Sequence, residues 1–450
     1  MKTALIILAA GRGTRMNSDL PKVLHPLAGA PLLVHAMQSG ASLAPEKTVI
    51  VAGHGAAEVR KAALAHDATV TVTEQTEQLG TAHAAAQARD SLKDFDGTAI
   101  VLFGDTPFVR PETLEQMVGA LKSHDVVILG FEAEDPARYG RLVMRGDDLE
   151  RIVEFKDATD EERAISLCNS GVVACDARLL FDLIDAIGND NASAEYYLTD
   201  IVGLARARDL SATVVTCEQA ETLGINTRAE LAQAEAAFQA RVRTTAFEDG
   251  VTMPAPDTVH FAFDTVVGRD TVIEPNVVFG PGVTVESGAQ IRAFSHLEGC
   301  HVSRGSVIGP YARLRPGAEL AENVRIGNFV EIKNAQIGQG TKVNHLSYIG
   351  DATLGSGTNV GAGTVTCNYD GVMKHHTHIG DNVFIGSDTM LVAPVHIGDA
   401  AMTASGSVIT SDVEPGALAL GRAHQVEKPG MAVKLFEMLK AQKARNQRGS

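Results

Sequence analysis

The stretch Leu8-Ala9-Ala10-Gly11-Arg12-Gly13-Thr14-Arg15-Met16, running on to Pro21-Lys22, decides the fold of the first half of the chain. It follows the apolar run Thr3-Ala4-Leu5-Ile6-Ile7-Leu8, and a short apolar run that ends in glycines reads as a buried parallel strand leading into a tight loop. Gly11 and Gly13 allow a ligand close to the backbone and a positive φ where the turn needs one. Backbone N–H groups in such a loop form an anion-binding concavity, and Arg15 and Lys22 add positive charge beside it. The physical reading is a cradle for a polyphosphate. Two commoner phosphate loops are excluded: Met16 stands where a dinucleotide fingerprint has its third glycine, and no Gly-Lys-Ser/Thr follows.

Outward from this loop, residues 1–226 alternate apolar strands (3–8, 48–52, 99–103, 125–131) with Ala-rich helical segments (32–40, 56–65, 81–90, 112–122). The alternation predicts an α/β, Rossmann-like domain with a mostly parallel sheet, whose ligands sit at the C-terminal strand ends. The run Ala99–Phe103 ends in Gly104-Asp105. That places Asp105 on the same rim as the glycine loop, where a carboxylate holds a Mg²⁺ that bridges phosphates or simply starts a turn. Gln75 has an amide suited to a base edge, and Gly80-Thr81 opens a helix either as ligand-facing N–H groups or as a plain N-cap. Tyr139-Gly140-Arg141, Glu154 with Lys156, and Asn169-Ser170-Gly171 are bland one at a time. Asn226 precedes Thr227-Arg228-Ala229-Glu230, a capping-box pattern.

Residues 227–247 read as one linker helix, with Leu231, Ala234, Phe238 and Val242 at helical spacing. Beyond about 250 the pattern changes to a six-residue period. Ile308, Leu314, Leu320, Ile326 and Ile332 keep it, as do Ile379, Ile385, Leu391, Ile397, Thr403 and Ile409, with Val266, Val272 and Val278 taken as its start. This is the period of a parallel β-helix, three hexapeptides to a coil, and 248–450 is assigned to it with a C-terminal tail. The period breaks between Val360 and Ile379, an interval of 19 where 18 would continue it. A loop leaving a rigid solenoid is a candidate functional site. Before it stands His345, whose free pKa suits a general base. Arg315 and Lys333 on preceding coils suit a phosphate, and Tyr348 and Asn359 follow. His375, His376 and His378 read as a polar loop in preference to a metal site.

A chain of 450 residues holds two or three domains, and its net charge of −16 argues against a nucleic-acid binder. Five scattered cysteines without Cys-x-x-Cys spacing fit a reducing cytoplasm. No apolar stretch reaches spanning length, and the first apolar run goes straight into the glycine loop, so neither a membrane span nor a signal peptide is expected.

The string Leu8–Lys22 resembles the signature of nucleotide-sugar pyrophosphorylases. The motifs Ala312-Arg313-Leu314-Arg315-Pro316, Asn328-Phe329-Val330-Glu331-Ile332-Lys333, Asn344-His345-Leu346-Ser347-Tyr348 and Cys367-Asn368-Tyr369-Asp370-Gly371 are similar to those of hexapeptide-repeat acyltransferases. Together they cover almost the whole chain and resemble the family of bifunctional bacterial uridyltransferase/acetyltransferases that make UDP-N-acetylglucosamine, a cell-envelope precursor. The resemblance implies a left-handed β-helix, a homotrimer, and the substrates glucosamine-1-phosphate, acetyl-CoA, UTP and N-acetylglucosamine-1-phosphate. It implies that Leu8, Ala9, Ala10, Gly11, Arg15, Lys22, Phe103 and Gly104 hold the nucleotide, with uracil on Gln75, Gly80 and Thr81. Gly140, Glu154 and Asn169 are the implied sugar contacts, and Asp105 and Asn226 the implied Mg²⁺ ligands. Phe103 departs from the tyrosine often found there. In the second half Arg315, Lys333, Tyr348 and Asn359 are implied to hold glucosamine-1-phosphate and His345 to act as base. Ala362, Asn368, Tyr369, Ser387, Ser405 and Arg422 are implied to lie along acetyl-CoA, Ser405 replacing a common Ala. The basic tail, 422–450, is implied to reach a neighbouring copy, its last residues reading as disordered. The rival readings are a single-activity nucleotidyltransferase with a purely structural or regulatory β-helix, and a non-enzymatic nucleotide-sugar sensor.

Overall fold

The computed structural model describes residues 2–448. The chain divides into two compact units, residues 1–245 with 261–264, and residues 246–260 with 265–450.

In the first unit the strand Thr3–Ala9 is buried along its whole length, which is why it is apolar on both faces rather than alternating. It pairs in parallel with Lys47–Ala52 on one side and Thr98–Phe103 on the other. The sheet runs Ala212–Cys217, Val126–Glu132, Leu167–Asp176, Thr98–Phe103, Thr3–Ala9, Lys47–Ala52, Thr71–Glu74. Only Leu167–Asp176 runs antiparallel to its neighbours on this path, and its register shifts between Asn169 and Val173. Alternate residues feed two cores. Ala4, Ile6 and Leu8 pack with Leu180 and Ile201 on one face, while Leu5, Ile7 and Ala9 pack with Leu33 and Leu114 on the other. The expected helices are present as Leu32–Ala41, Ala56–His66, Thr81–Ala86 with Arg89–Leu92, and Pro111–Ala120.

The helix expected over 227–247 spans Arg228–Glu248. It is more than a connector: Ala234 and Phe238 are buried with Leu27, Leu32, Phe108 and Ile225 of the first unit. Its start is the expected capping box, with Thr227 Oγ1 accepting from Glu230 N at 3.2 Å and Glu230 Oε2 accepting from Thr227 N at 3.0 Å.

The second unit is the expected hexapeptide β-helix. Short parallel strands stack on three faces, one face running unbroken from Val272–Ile273 to Leu418–Ala419. The two other faces join through Glu331–Ile337 and Tyr348–Leu354, which turn a corner. Two sequence readings are corrected here. Val266, Val272 and Val278 do not point inward: Val266 and Val278 are exposed, and Ile273, Phe279 and Val285 fill the interior instead. The period was right and the phase one residue off, and in a strand one residue reverses every side chain. The break near 360 is also larger than one residue. Ala352 pairs with Thr377, a step of 25, where the next coil pairs Thr377 with Val395, a step of 18, so seven residues are extra. Thr366 keeps the inward position just before them, fully buried, with its hydroxyl bonded to Gly350 N at 2.8 Å and Gly350 O at 3.0 Å.

In the tail, Met431–Arg448 is helical, which the basic composition did not announce. The final residues read as disordered include 449–450, which lie outside the described residues.

Candidate functional sites

At the end of Thr3–Ala9 the glycine loop passes into a single turn, Thr14–Met16. Gly13 takes φ 61°, and a Cβ there would stand 2.5 Å from Lys22 Cβ, so only glycine lets the loop close over that lysine. Lys22 Nζ donates to Asn226 Oδ1 at 3.1 Å and is paired with Asp105. Ile225 N donates to Asp105 O at 3.0 Å. One ammonium thus gathers two oxygen acceptors from distant parts of the chain onto one point.

This point opens on a cavity of about 340 Å³ lined by Leu8, Ala9, Ala10, Gly11, Lys22, Gln75, Gly80, Thr81, Phe103 and Asp105. Gln78 and Glu195 also line it and were not singled out by the sequence. Gln75 is buried, with Nε2 donating to Gly80 O at 3.2 Å and facing His83 Nδ1 at 3.0 Å, so its Oε1 is left to accept. Gly80 takes φ 122° against the Tyr196 backbone. Arg15 is exposed and does not line the cavity.

A second cavity of about 240 Å³ adjoins the first through Thr81 and Phe103, and is lined by Gly140, Glu154, Asn169 and Thr199 among others. Gly140 O accepts from Asn169 N at 2.8 Å, and Asn169 Oδ1 accepts from Gly171 N at 3.0 Å. A Cβ on Gly171 would stand 2.6 Å from the Phe103 ring, so the ring fills the space where the two cavities meet. Burial pushes the Glu154 carboxyl above its ordinary pKa, and a hydrogen bond from Thr199 at 3.2 Å only partly offsets this.

In the second unit His345 ends the strand Lys342–His345 and is exposed at a corner of the β-helix. Its Nδ1 faces Asn328 Oδ1, one coil earlier, at 2.9 Å. Backbone bonds carry the same corner onward: Gly363 N donates to His345 O, Asp388 N to Ala362 O and Gly406 N to Ser387 O. His345, Ala362, Ser387 and Ser405 therefore stand in one row. Arg422 Nη1 donates to Ser405 O at 2.5 Å at its end. Tyr369 is exposed nearby in sequence, but Asn368 is buried, its Nδ2 turned to Asp351 and to Tyr348 Oη at 3.5 Å.

Round the next corner, Arg315 and Lys333 stand on successive coils, with Arg315 held by Glu331 at 2.8 Å. The Glu331 partner raises the Arg315 pKa. The Tyr348 hydroxyl lies over Gly350, where a Cβ would be 2.3 Å from it. Lys374, from the seven-residue insertion, brings its ammonium beside Lys333, which lowers the Lys374 pKa, while Asp351 and Tyr348 oppose that shift. Two adjacent ammonium groups and a guanidinium make a cluster of positive charge suited to an anion. Asn359 stands on the neighbouring face, paired with Lys342 and Phe384. Sequence reasoning missed Asn328 and Lys374, although the conspicuous interruption of the repeat was the available signal for the second.

Residues 5–176 match the MobA-like NTP transferase domain, and 264–299 and 376–411 match the bacterial transferase hexapeptide repeat. The chain is 76% identical over 450 residues to the bifunctional protein GlmU of Roseobacter denitrificans, covering 100% of both chains. It is 70% identical over 448 residues to that of Ruegeria pomeroyi, again covering 100% of both. Against that of Cereibacter sphaeroides it is 67% identical over 441 residues, 98% of this chain and 97% of the other. With both family models matched in the expected units and full-length identity of this order, the chain belongs to the bifunctional GlmU family.

Proposed function

We propose that the protein makes UDP-N-acetylglucosamine by two transfers, one in each unit. The second unit moves the acetyl group of acetyl-CoA to the amine of glucosamine-1-phosphate. The first joins the resulting N-acetylglucosamine-1-phosphate to the uridylyl group of UTP and releases pyrophosphate. The observation that carries the reading is the anion site of Arg315, Lys333 and Lys374 around a corner from His345 and its row. A solenoid with a purely structural role needs none of these residues.

The amine of the acceptor is largely protonated at neutral pH and must lose a proton before it attacks. Asn328 Oδ1 accepts the proton of His345 Nδ1, which leaves Nε2 as the base. The ammonium gives its first proton to solvent; as the new C–N bond forms, Nε2 takes the second proton from the attacking nitrogen and, as the C–S bond breaks, passes it to the departing thiolate. A positioned base contributes roughly 10²–10⁴ in rate. Arg315, Lys333 and Lys374 bind the phosphate, Tyr348 and Asn359 the sugar, and acetyl-CoA lies along Ala362, Ser387, Ser405 and Arg422, with Tyr369 at the loop.

In the first unit a phosphate oxygen of the acceptor attacks the α-phosphorus of UTP in line. Lys22 and the glycine-loop N–H groups meet the charge of the reacting phosphates, which is how such transfers are accelerated. Gln75 Oε1 accepts from the imide N–H of uracil, a donor that cytosine lacks. Gly140, Glu154 and Asn169 hold the sugar. The Asp105 and Asn226 oxygens, already converging on one point, suit Mg²⁺, which prefers hard oxygen donors and supplies charge neutralisation when bound.

The acetyl-transfer row lies on a convex corner, and beside it Phe294, Tyr311, Phe329 and Leu346 form an exposed apolar ladder. A homotrimer in which neighbouring copies cover the ladder and enclose the site fits this surface. Among the described residues no helix is long and apolar enough to cross a membrane, and all five cysteines are free, which supports a reducing, cytoplasmic setting.

The test is release of CoA thiol from acetyl-CoA and glucosamine-1-phosphate, with pyrophosphate release from UTP and N-acetylglucosamine-1-phosphate followed in parallel. His345→Ala is expected to abolish the first and spare the second. A wild-type protein that releases pyrophosphate but never thiol would overturn the acetyltransferase reading.

A further inference from the structure

The insertion that carries Lys374 has no core of its own. It forms a small hairpin in which Tyr369 pairs with Lys374 and His375 N donates to Asn368 O at 2.8 Å. Its tip is exposed, with Val372 and Met373 open to solvent. What fixes its shape is one side chain. Asp370 Oδ1 accepts from Val372 N at 2.8 Å and Met373 N at 2.7 Å, and Asp370 Oδ2 meets His375 Nε2 at 2.7 Å. Asp370 N also donates to Met373 O at 3.2 Å. A single carboxylate therefore clasps both arms of the hairpin and its tip. These bonds favour the ionised form so strongly that the Asp370 pKa falls to about 2, chiefly through His375.

Lys374 sits between the residues so clasped, and it is driven against Lys333, a like charge. Two like charges repel, so this geometry needs other bonds to hold it. Something must oppose the repulsion before an anion arrives. Asp351 does so from the β-helix side, where hydrogen bonds from Asn334 and Asn368 fix its carboxylate.

We propose that Asp370, through its bonds to the hairpin tip and to His375, is a positioning residue that holds Lys374 in place for the phosphate of the acetyl acceptor. The inference rests on the acetyl-transfer reading of this site. Both carboxylate oxygens of Asp370 are engaged within the hairpin, so its loss is expected to act on acceptor affinity rather than on chemistry.

The experiment measures thiol release by the full-length protein against glucosamine-1-phosphate concentration, and binding of inorganic phosphate by calorimetry. Asp370→Ala is expected to raise KM for the acceptor about tenfold with kcat within about twofold, a loss of roughly 1.4 kcal/mol. Asp370→Asn keeps an oxygen for the Val372 and Met373 N–H groups and is expected to recover most of that affinity. In a Lys374→Ala background Asp370→Ala is expected to add little, because residues acting through one group are not additive. The circular dichroism spectrum and thermal midpoints of the same preparations report that both units are folded. An unchanged KM in Asp370→Ala, a loss confined to kcat, or full additivity with Lys374→Ala would each overturn the proposal. A wild type that binds phosphate but never releases thiol would instead overturn the acetyl-transfer reading.

Discussion

A half-buried carboxylate whose surroundings disfavour its charge is costly to ionise, and Glu154 is one. Its pKa is raised by burial first and by Asp157 and Asp200 nearby, with only the Thr199 hydroxyl opposing. A carboxyl whose folded pKa lies above the unfolded value favours the fold below the usual range near 4.3, and that contribution is lost as pH rises through the folded value. Ionising Glu154 as the pH rises through its raised pKa therefore costs the first unit stability. Glu154→Gln removes that cost, and is expected to raise the first thermal midpoint at pH 7 by roughly 2–4 °C, the equivalent of about 1 kcal/mol. The gain should vanish as the scans approach pH 4, while KM for N-acetylglucosamine-1-phosphate rises. A variant no more stable than wild type at pH 7 would show that a sugar contact is not what keeps this charge. At this scale the sequence revealed chemistry but not partnership. His345, Arg315, Lys333 and Asp105 announce themselves as residue types. Asn328 did not, because the fact that makes it matter, an Oδ1 at 2.9 Å from His345 Nδ1, exists only once two coils are stacked.

Among elements, the six-residue period gave the β-helix before any coordinates, since few folds repeat an inward apolar residue so regularly. Its phase was harder. At the first coils both residues of Val272–Ile273 and Val278–Phe279 are apolar, and either could be the inward one. Thr366 hid the true size of the insertion for a related reason, being polar yet wholly interior. The corners carry a further signal. Left-handed backbone there is mostly given to Gly, Asn or Asp, as at Asp270, Asn276, Asn323 and Asn382, but Phe294, Tyr311, Phe329 and Leu346 adopt it on four successive coils. A bulky residue in this region costs about 1–2 kcal/mol. The three rings nonetheless stack at 4.9 and 5.2 Å and stay exposed. Replacing all three by Asn is expected to leave each coil no less stable, to reduce the sedimenting mass to that of single chains, and to cut thiol release while sparing pyrophosphate release. An unchanged oligomer after the triple replacement would mean that the ladder lies away from the subunit contact.

For the whole molecule, the strand–helix alternation of the first half and the repeat of the second were legible as two architectures in sequence. Their boundary was not a clean cut. Residues 261–264 return to the first unit, where Phe263 N donates to Ala28 O at 2.9 Å, and no local pattern foretells a bond across so much chain. Since each site is built within its own unit, the two reactions should be separable. Asp105→Ala is expected to lose pyrophosphate release and keep thiol release, the mirror image of His345→Ala. An equimolar mixture of the two variants, supplied with glucosamine-1-phosphate, acetyl-CoA, UTP and Mg²⁺, is expected to yield UDP-N-acetylglucosamine, detected by chromatography. Absence of product from the mixture, with both single steps active, would mean that the intermediate never leaves the chain that made it.

The seven-residue insertion has a consequence for how such proteins diversify. On all three faces the pairing steps by 25 residues across it and by 18 immediately after. The extra length is absorbed at one corner, and no ladder on either side changes register. Substrate recognition and scaffold stability are thereby uncoupled: this segment can be lengthened, shortened or exchanged while the stack beneath stays the same. A library of hairpins grafted between Cys367 and Thr377 would then sample new acceptors on an unchanged rack. Its members would be sorted by what they bind rather than by whether they fold.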